Sequence, residues 1–152
     1  FSFHLEYNDQ ITVVLDGIRD PGNLGTIIRI CDWYGIKQIL FSPDCTDFFN
    51  PKVISASMGS YTRINFHYQD LSQVFESNPS VPILGALLEG TDVHTMQFPS
   101  SFFLLLGNES NGIREENIKY ISQKVTIPRY GLAESLNVGI STAIILDNLK
   151  RN

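Results

Sequence analysis

Six short apolar runs recur along the chain: Ile11–Leu15, Lys37–Phe41, Ile64–His67, Ile83–Leu88, Phe102–Leu106 and Lys124–Ile127. Stretches such as "ITVVL" and "FFLLL" are apolar at successive positions rather than at alternate ones. A strand that is apolar on both faces must be covered on both, and helices placed between successive strands supply that cover. The pattern predicts a three-layer α/β domain built on a parallel sheet.

The intervening stretches carry helix punctuation. Asn23 can cap a helix with Leu24, Ile27, Cys31 and Tyr34 on one face, stopped by Gly35. Asn50 and Pro51 open a second helix that Gly59 closes, and Asp70 caps a third through Leu71, Val74 and Phe75. A fourth is expected over Arg114–Tyr120, and a long last one over about Leu136–Leu149. No repeat or linker divides the chain, so residues 1–152 read as one domain. With 43% hydrophobic and 18% charged residues, it has the make-up for a proper core.

Several classes of function are disfavoured. The longest apolar runs are too short to cross a bilayer, and the expected location is cytoplasmic. Cys31 and Cys45 form no CxxC pair and have no His at metal-ligand spacing, so they are expected as reduced, partly buried thiols with no metal. His4, His67 and His94 are scattered, without a Ser or Cys spaced for a triad. Trp33, Tyr34, Phe48 and Phe49 read as core or dimer contacts rather than as platforms for bases. The net charge of -5 argues against a free-standing grip on nucleic acid, although cations and amides around one cleft would suffice for weak binding. The sequence opens on Phe1 rather than Met, so the expectation is a piece of a longer protein whose N-terminal portion is missing here.

Parallel sheets bind ligands at the carboxyl ends of their strands. That rule selects four loops: Asp16–Gly25, Leu88–Thr91, Gly107–Gly112 and Pro128–Asn137. The first contains neither GxGxxG nor GxxxxGK[ST], and Gly22 and Gly25 are either turn glycines or part of a ligand cradle. Asn23 either caps the helix or holds a substrate oxygen. Arg29 is either a solvated charge or a fork onto phosphate or carboxylate. In "LLLGNESNGI", Gly107 permits close approach, and Asn108 and Glu109 place an amide and a carboxylate at the loop tip. In "IPRYGLAESLNVGIS", Ser135 and Asn137 stand at the mouth of the last helix, where Ser135 can equally be its cap.

Taken together and in this order, "DPGNLGTIIR", "LLLGNESNGI" and "IPRYGLAESLNVGIS" resemble the three motifs of the SpoU (TrmH-type) family of SPOUT RNA 2'-O-ribose methyltransferases. "PKVISASMGSYTRINF" resembles the segment that family places between its first and second motifs, and the likeness runs from about Ile11 to Leu149. The resemblance implies an α/β domain with a C-terminal deep trefoil knot, a homodimer formed through the knot region, and S-adenosyl-L-methionine held in the knotted loops. It implies methyl transfer to a ribose 2'-hydroxyl of rRNA or tRNA. By position, Gly107, Asn108, Ile127 and Leu136 resemble the cofactor-pocket residues, with the loop around Leu87 closing over the adenine. Asn23, Arg29, Glu109, Ser135 and Asn137 resemble the catalytic set. The sequence departs from the family at Ser110, where Gly is common, at Arg129, where Met is usual, and at Gly139, where Ser is usual. The alternative reading is a non-catalytic RNA- or nucleotide-binding α/β module.

Overall fold

The computed structural model describes residues 5–151; Phe1 and His4 lie outside them. Six strands alternate with helices, except that β4 leads to β5 through a loop: β1 (Ile11–Asp16), α1 (Pro21–Trp33), β2 (Gln38–Phe41), α2 (Pro51–Ser57), β3 (Asn65–Tyr68), α3 (Leu71–Ser77), β4 (Ile83–Asp92), β5 (Phe102–Gly107), α4 (Glu115–Ile118), β6 (Gln123–Thr126) and α5 (Val138–Arg151). A 3-10 turn, Ser60–Arg63, joins α2 to β3. All pairings are parallel, in the order β3-β2-β1-β5-β4-β6. Among the described residues no helix is long and apolar enough to cross a membrane.

The central strands are buried on both faces, as their unbroken apolar runs require. Val13, Leu15, Leu104 and Leu106 face one core with α1, α2 and α5, through Leu24, Ile28, Val53 and Leu146. Val14, Phe103 and Leu105 face the other with α3 and the loop leading into α4, through Leu71, Val74, Phe75 and Ile113. The three-layer expectation is met. The sheet reverses its winding at the β1–β5 pair, where Ile11 lies opposite Phe102 and Asp16 opposite Gly107. Loops leaving these neighbours in opposite directions open a crevice, and it lies beside the first and second motifs.

Details of punctuation differ from the sequence reading. Asp20, rather than Asn23, caps α1: its Oδ1 accepts the Asn23 N–H at 3.1 Å, and Pro21 takes the first helical position. Proline there has no N–H to lose and a φ already suited to the helix, so the cap falls on the residue before it. Gly22 and Gly25 consequently lie inside α1 and are not turn glycines. A Cβ on Gly25 would stand 2.6 Å from both the Val53 carbonyl and the Ala56 Cβ, so this glycine lets α1 and α2 touch. Asn137, rather than Ser135, caps α5, its Oδ1 accepting the N–H groups of Gly139 at 2.8 Å and Ile140 at 3.2 Å. Asn50 and Asp70 cap α2 and α3 as expected. Met58 ends α2 in the left-handed region ahead of Gly59, and α4 is shorter than expected.

The loop expected at Leu88–Thr91 is instead part of β4, which runs on to Asp92. Its pairing with β6 breaks register between Ala86 and Thr91 and then resumes, so the exposed segment stays extended. Phe48 is core and stacks on Phe66 with ring centroids 3.9 Å apart, whereas Trp33 is 83% exposed. Both cysteines are free and buried.

Candidate functional site

The site starts from a buried carboxylate. Asp16 ends β1 with no exposed surface, and its Oδ2 accepts hydrogen bonds from the Arg114 N–H at 2.9 Å and the Asn117 amide at 3.0 Å. Its Oδ1 faces Nε of Arg114 at 3.3 Å. The Arg114 guanidinium continues to Asp44, which also receives Arg19 at 3.0 Å and the Ser42 hydroxyl at 2.8 Å. Partial burial pushes the Asp44 carboxyl up, but the hydrogen bonds from Ser42, Arg19 and Arg114 more than offset it and hold it at about 2. The Ser42 hydroxyl in turn accepts the Gly17 N–H at 2.8 Å, while the Asn108 amide donates to the Gly17 carbonyl at 2.7 Å. The loops after β1, β2 and β5 are thus tied into one unit.

The β5 loop of this unit, the β4 segment Ala86–Leu88 and the stretch from β6 into α5 line a cavity of about 860 Å³, within the range of small-molecule sites. Leu87, Val125, Ile127 and Leu136 give it apolar walls, and Gly107, Asn108, Glu109 and Ser135 bring polar groups to it. Gly107 is where β5 turns against its own loop: a Cβ there would lie 2.2 Å from Gly112 C and Ile113 N. A smaller cavity of about 130 Å³ lies against Arg19, Asn23 and the loop Asn108–Ser110. Asn108 and Glu109 therefore face both spaces.

Three polar residues from distant parts of the chain join at this loop. The Asn137 amide donates to the Asn23 carbonyl oxygen at 2.9 Å, and the Asn23 amide donates to the Glu109 carboxylate. Because Asp20 takes over the capping of α1, the Asn23 side chain is available for this chain of bonds. Of the residues singled out in the sequence, Leu87, Gly107, Asn108, Glu109, Ile127, Ser135 and Leu136 line the larger cavity. Asn23 lines the smaller one, and Asn137 reaches the site through Asn23. Arg29 is exposed on α1 and lines neither.

Sequence reasoning missed Asp16, Asp44 and Arg114. The available signal was an acid closing an apolar strand, "ITVVLD", because a carboxylate so placed must find partners. Its partners could not be named, since Arg114 lies 98 positions away. Among the described residues, no three His, Cys, Asp or Glu side chains group as a metal site.

Comparison with known proteins agrees with this geometry. A Bacillus subtilis protein named 23S rRNA (guanosine(2553)-2'-O)-methyltransferase RlmP is 31% identical over 141 residues, 91% of this chain and 57% of that protein. A crystal structure of an AdoMet-bound rRNA methyltransferase from Sinorhizobium meliloti superposes with a TM-score of 0.88 at 33% identity, covering 98% of this chain and 58% of that one. The SpoU methyltransferase AviRb from Streptomyces viridochromogenes, in complex with AdoMet, superposes with a TM-score of 0.86 at 26% identity, covering 94% and 60%. The chain thus spans less than two thirds of the length of these relatives. The sequence model of the SpoU rRNA Methylase family matches residues 10–147, and the chain belongs to that family.

Proposed function

We propose that the protein is an S-adenosylmethionine-dependent RNA methyltransferase that modifies a ribose 2'-hydroxyl, with rRNA as the substrate class that its named relatives support. The observation that carries this reading is the convergence of three sequence-distant segments, from β4, the β5 loop and the stretch from β6 into α5, on one cavity, with Asn137 and Asn23 hydrogen-bonded in series to Glu109 of its lining. The residues present fit the cofactor: apolar walls at Leu87, Ile127 and Leu136 suit an adenosine, and Gly107 and Asn108 offer polar groups beside them. When bound, the cofactor supplies a methyl group already activated on a sulfonium.

The protein's share of the work is positioning. Asn23, fixed between Asn137 and Glu109, orients the acceptor hydroxyl, and Ser135 adds a further hydroxyl from the opposite loop. Glu109 holds the loops together rather than acting as base. Arg29 stays protonated as a guanidinium, so its role is to clamp the target phosphate and stabilise the developing alkoxide, the proton leaving to a phosphate oxygen or water.

Arg29 needs a second chain to play that part. Six residues along a helix place it about 9 Å from Asn23 and roughly 120° around the axis. A homodimer in which α1 and α5 meet their copies would bring one Arg29 to the other site. Exposed Trp33, one turn beyond Arg29, and half-exposed Ile140 support such an interface. The path of the chain from β6, at one sheet edge, back to α1 at Asn137 supports the knotted course implied by the family resemblance. In this reading the protein works in the cytoplasm, and a further RNA-binding part supplies a basic surface to a chain whose net charge is -5.

Calorimetry with S-adenosylmethionine is expected to give one site per chain. Mass spectrometry of rRNA from cells lacking the gene is expected to show one lost ribose methyl group. A protein with no affinity for S-adenosylmethionine would refute the assignment.

A further inference from the structure

The basic side chains near the site are not equivalent. Arg114 is shared between Asp16 and Asp44, and Arg19 is paired with Asp44. Arg129 is different. Its guanidinium makes one long hydrogen bond, 3.4 Å, to the Ala133 carbonyl of its own loop, and among the described residues it faces no carboxylate partner in an ion pair. It lines the large cavity together with Glu109 and Glu134 but pairs with neither, so an unpaired positive charge is held at the cavity's edge in a chain whose net charge is -5.

The next residue is Tyr130, which also borders the cavity and is 90% exposed. An aromatic ring left this open gains nothing from core packing. Beside an unpaired guanidinium it forms a pairing suited to one ligand class, since single-stranded nucleic acid offers a π-face for the ring and a phosphate for the cation. A duplex offers its phosphates but keeps its base faces stacked inside.

We propose that Arg129 and Tyr130 are RNA-reading residues of this site: Tyr130 stacks on an unpaired base next to, or belonging to, the target nucleotide, and Arg129 takes a phosphate of the same strand. This proposal rests on the methyltransferase reading and deepens it by specifying a single-stranded target. The loop that closes the cofactor cavity would on this account also present the acceptor strand to it.

The test uses a fluorescein-labelled single-stranded RNA dodecamer and its duplex, followed by fluorescence anisotropy, with S-adenosylmethionine binding followed by calorimetry. Tyr130→Ala is expected to weaken single-strand binding roughly 5- to 100-fold, and Tyr130→Phe to restore it, because stacking needs the ring and not the hydroxyl. Arg129→Met is expected to lower the slope of log affinity against log salt by about one phosphate contact. All three variants should bind S-adenosylmethionine as the wild type does. Unchanged single-strand affinity in Tyr130→Ala would overturn the proposal. So would an equal loss of cofactor affinity, which would make the pair part of the cofactor wall, or a shift of the variant from dimer to monomer in sedimentation, which would make the loop a subunit contact. Failure of the wild type to transfer methyl groups while it still binds the dodecamer through Tyr130 would instead count against the methyltransferase reading and for the contact.

Discussion

Gly107 shows how much a single position can decide. It pairs with Asp16 at the end of the central strands, and its α-carbon lies so close to the returning loop that a methyl group would meet backbone atoms at 2.2 Å. Backbone cannot step aside as a flexible side chain can. Gly107→Ala is expected to cost about 1–3 kcal/mol in urea unfolding and to abolish S-adenosylmethionine binding in calorimetry. Gly131 provides the contrast, because nothing lies within 4 Å of a Cβ placed there. Gly131→Ala should unfold at nearly the wild-type denaturant concentration. At this scale the sequence was only partly legible. Asn23, Glu109 and Asn137 could be named as candidates from their residue types, yet their hydrogen bonds to one another depend on 86 and 114 positions of intervening chain. The cap of α1 was misplaced because "DPGN" offers two side chains able to cap, and only the backbone around Pro21 selects Asp20.

The elements were more legible than the loops. All six strands lie within a few residues of their expected places, because unbroken apolar runs have few alternatives in a chain this size. The extension of β4 to Asp92 escaped notice because its exposed end carries Glu89, Gly90 and Thr91, which read as a turn. What holds the loops between elements is electrostatic, and it should respond to acid. The folded Asp44 carboxyl sits at about 2, below the ordinary 3.8, so folding favours its ionised form. Its contribution to stability is complete above the ordinary value and is lost as pH falls through the folded one. Urea unfolding measured from about pH 4 down to pH 2 is expected to show a smaller loss of stability in Asp44→Asn than in the wild type. Parallel curves would mean that the two arginines do not depend on this acid for their placement.

For the whole molecule, the placement of Arg29 away from both cavities has a direct test. If each site borrows the arginine of another copy, an Arg29→Ala chain and an Asn23→Ala chain, each inactive alone, should regain up to about a quarter of wild-type turnover when mixed and reassorted. That fraction follows from half of the chains pairing as mixed dimers with one intact site each. Trp33→Lys should reduce this recovery and shift sedimentation toward the monomer, since it places a charge in the exposed face of α1. Composition and periodicity could reveal the layers but not whether copies pair, because exposed apolar residues leave no periodic signature of their own. The architecture also imposes an order of events on synthesis. Residues from 127 onward supply one wall of the large cavity, and Asn137 completes the bonds that fix Asn23. While the segment after β6 is still inside the ribosomal exit tunnel, most of the sheet can pair but the cavity lacks one wall, so the pocket arrives abruptly with that segment rather than accumulating as the sheet grows.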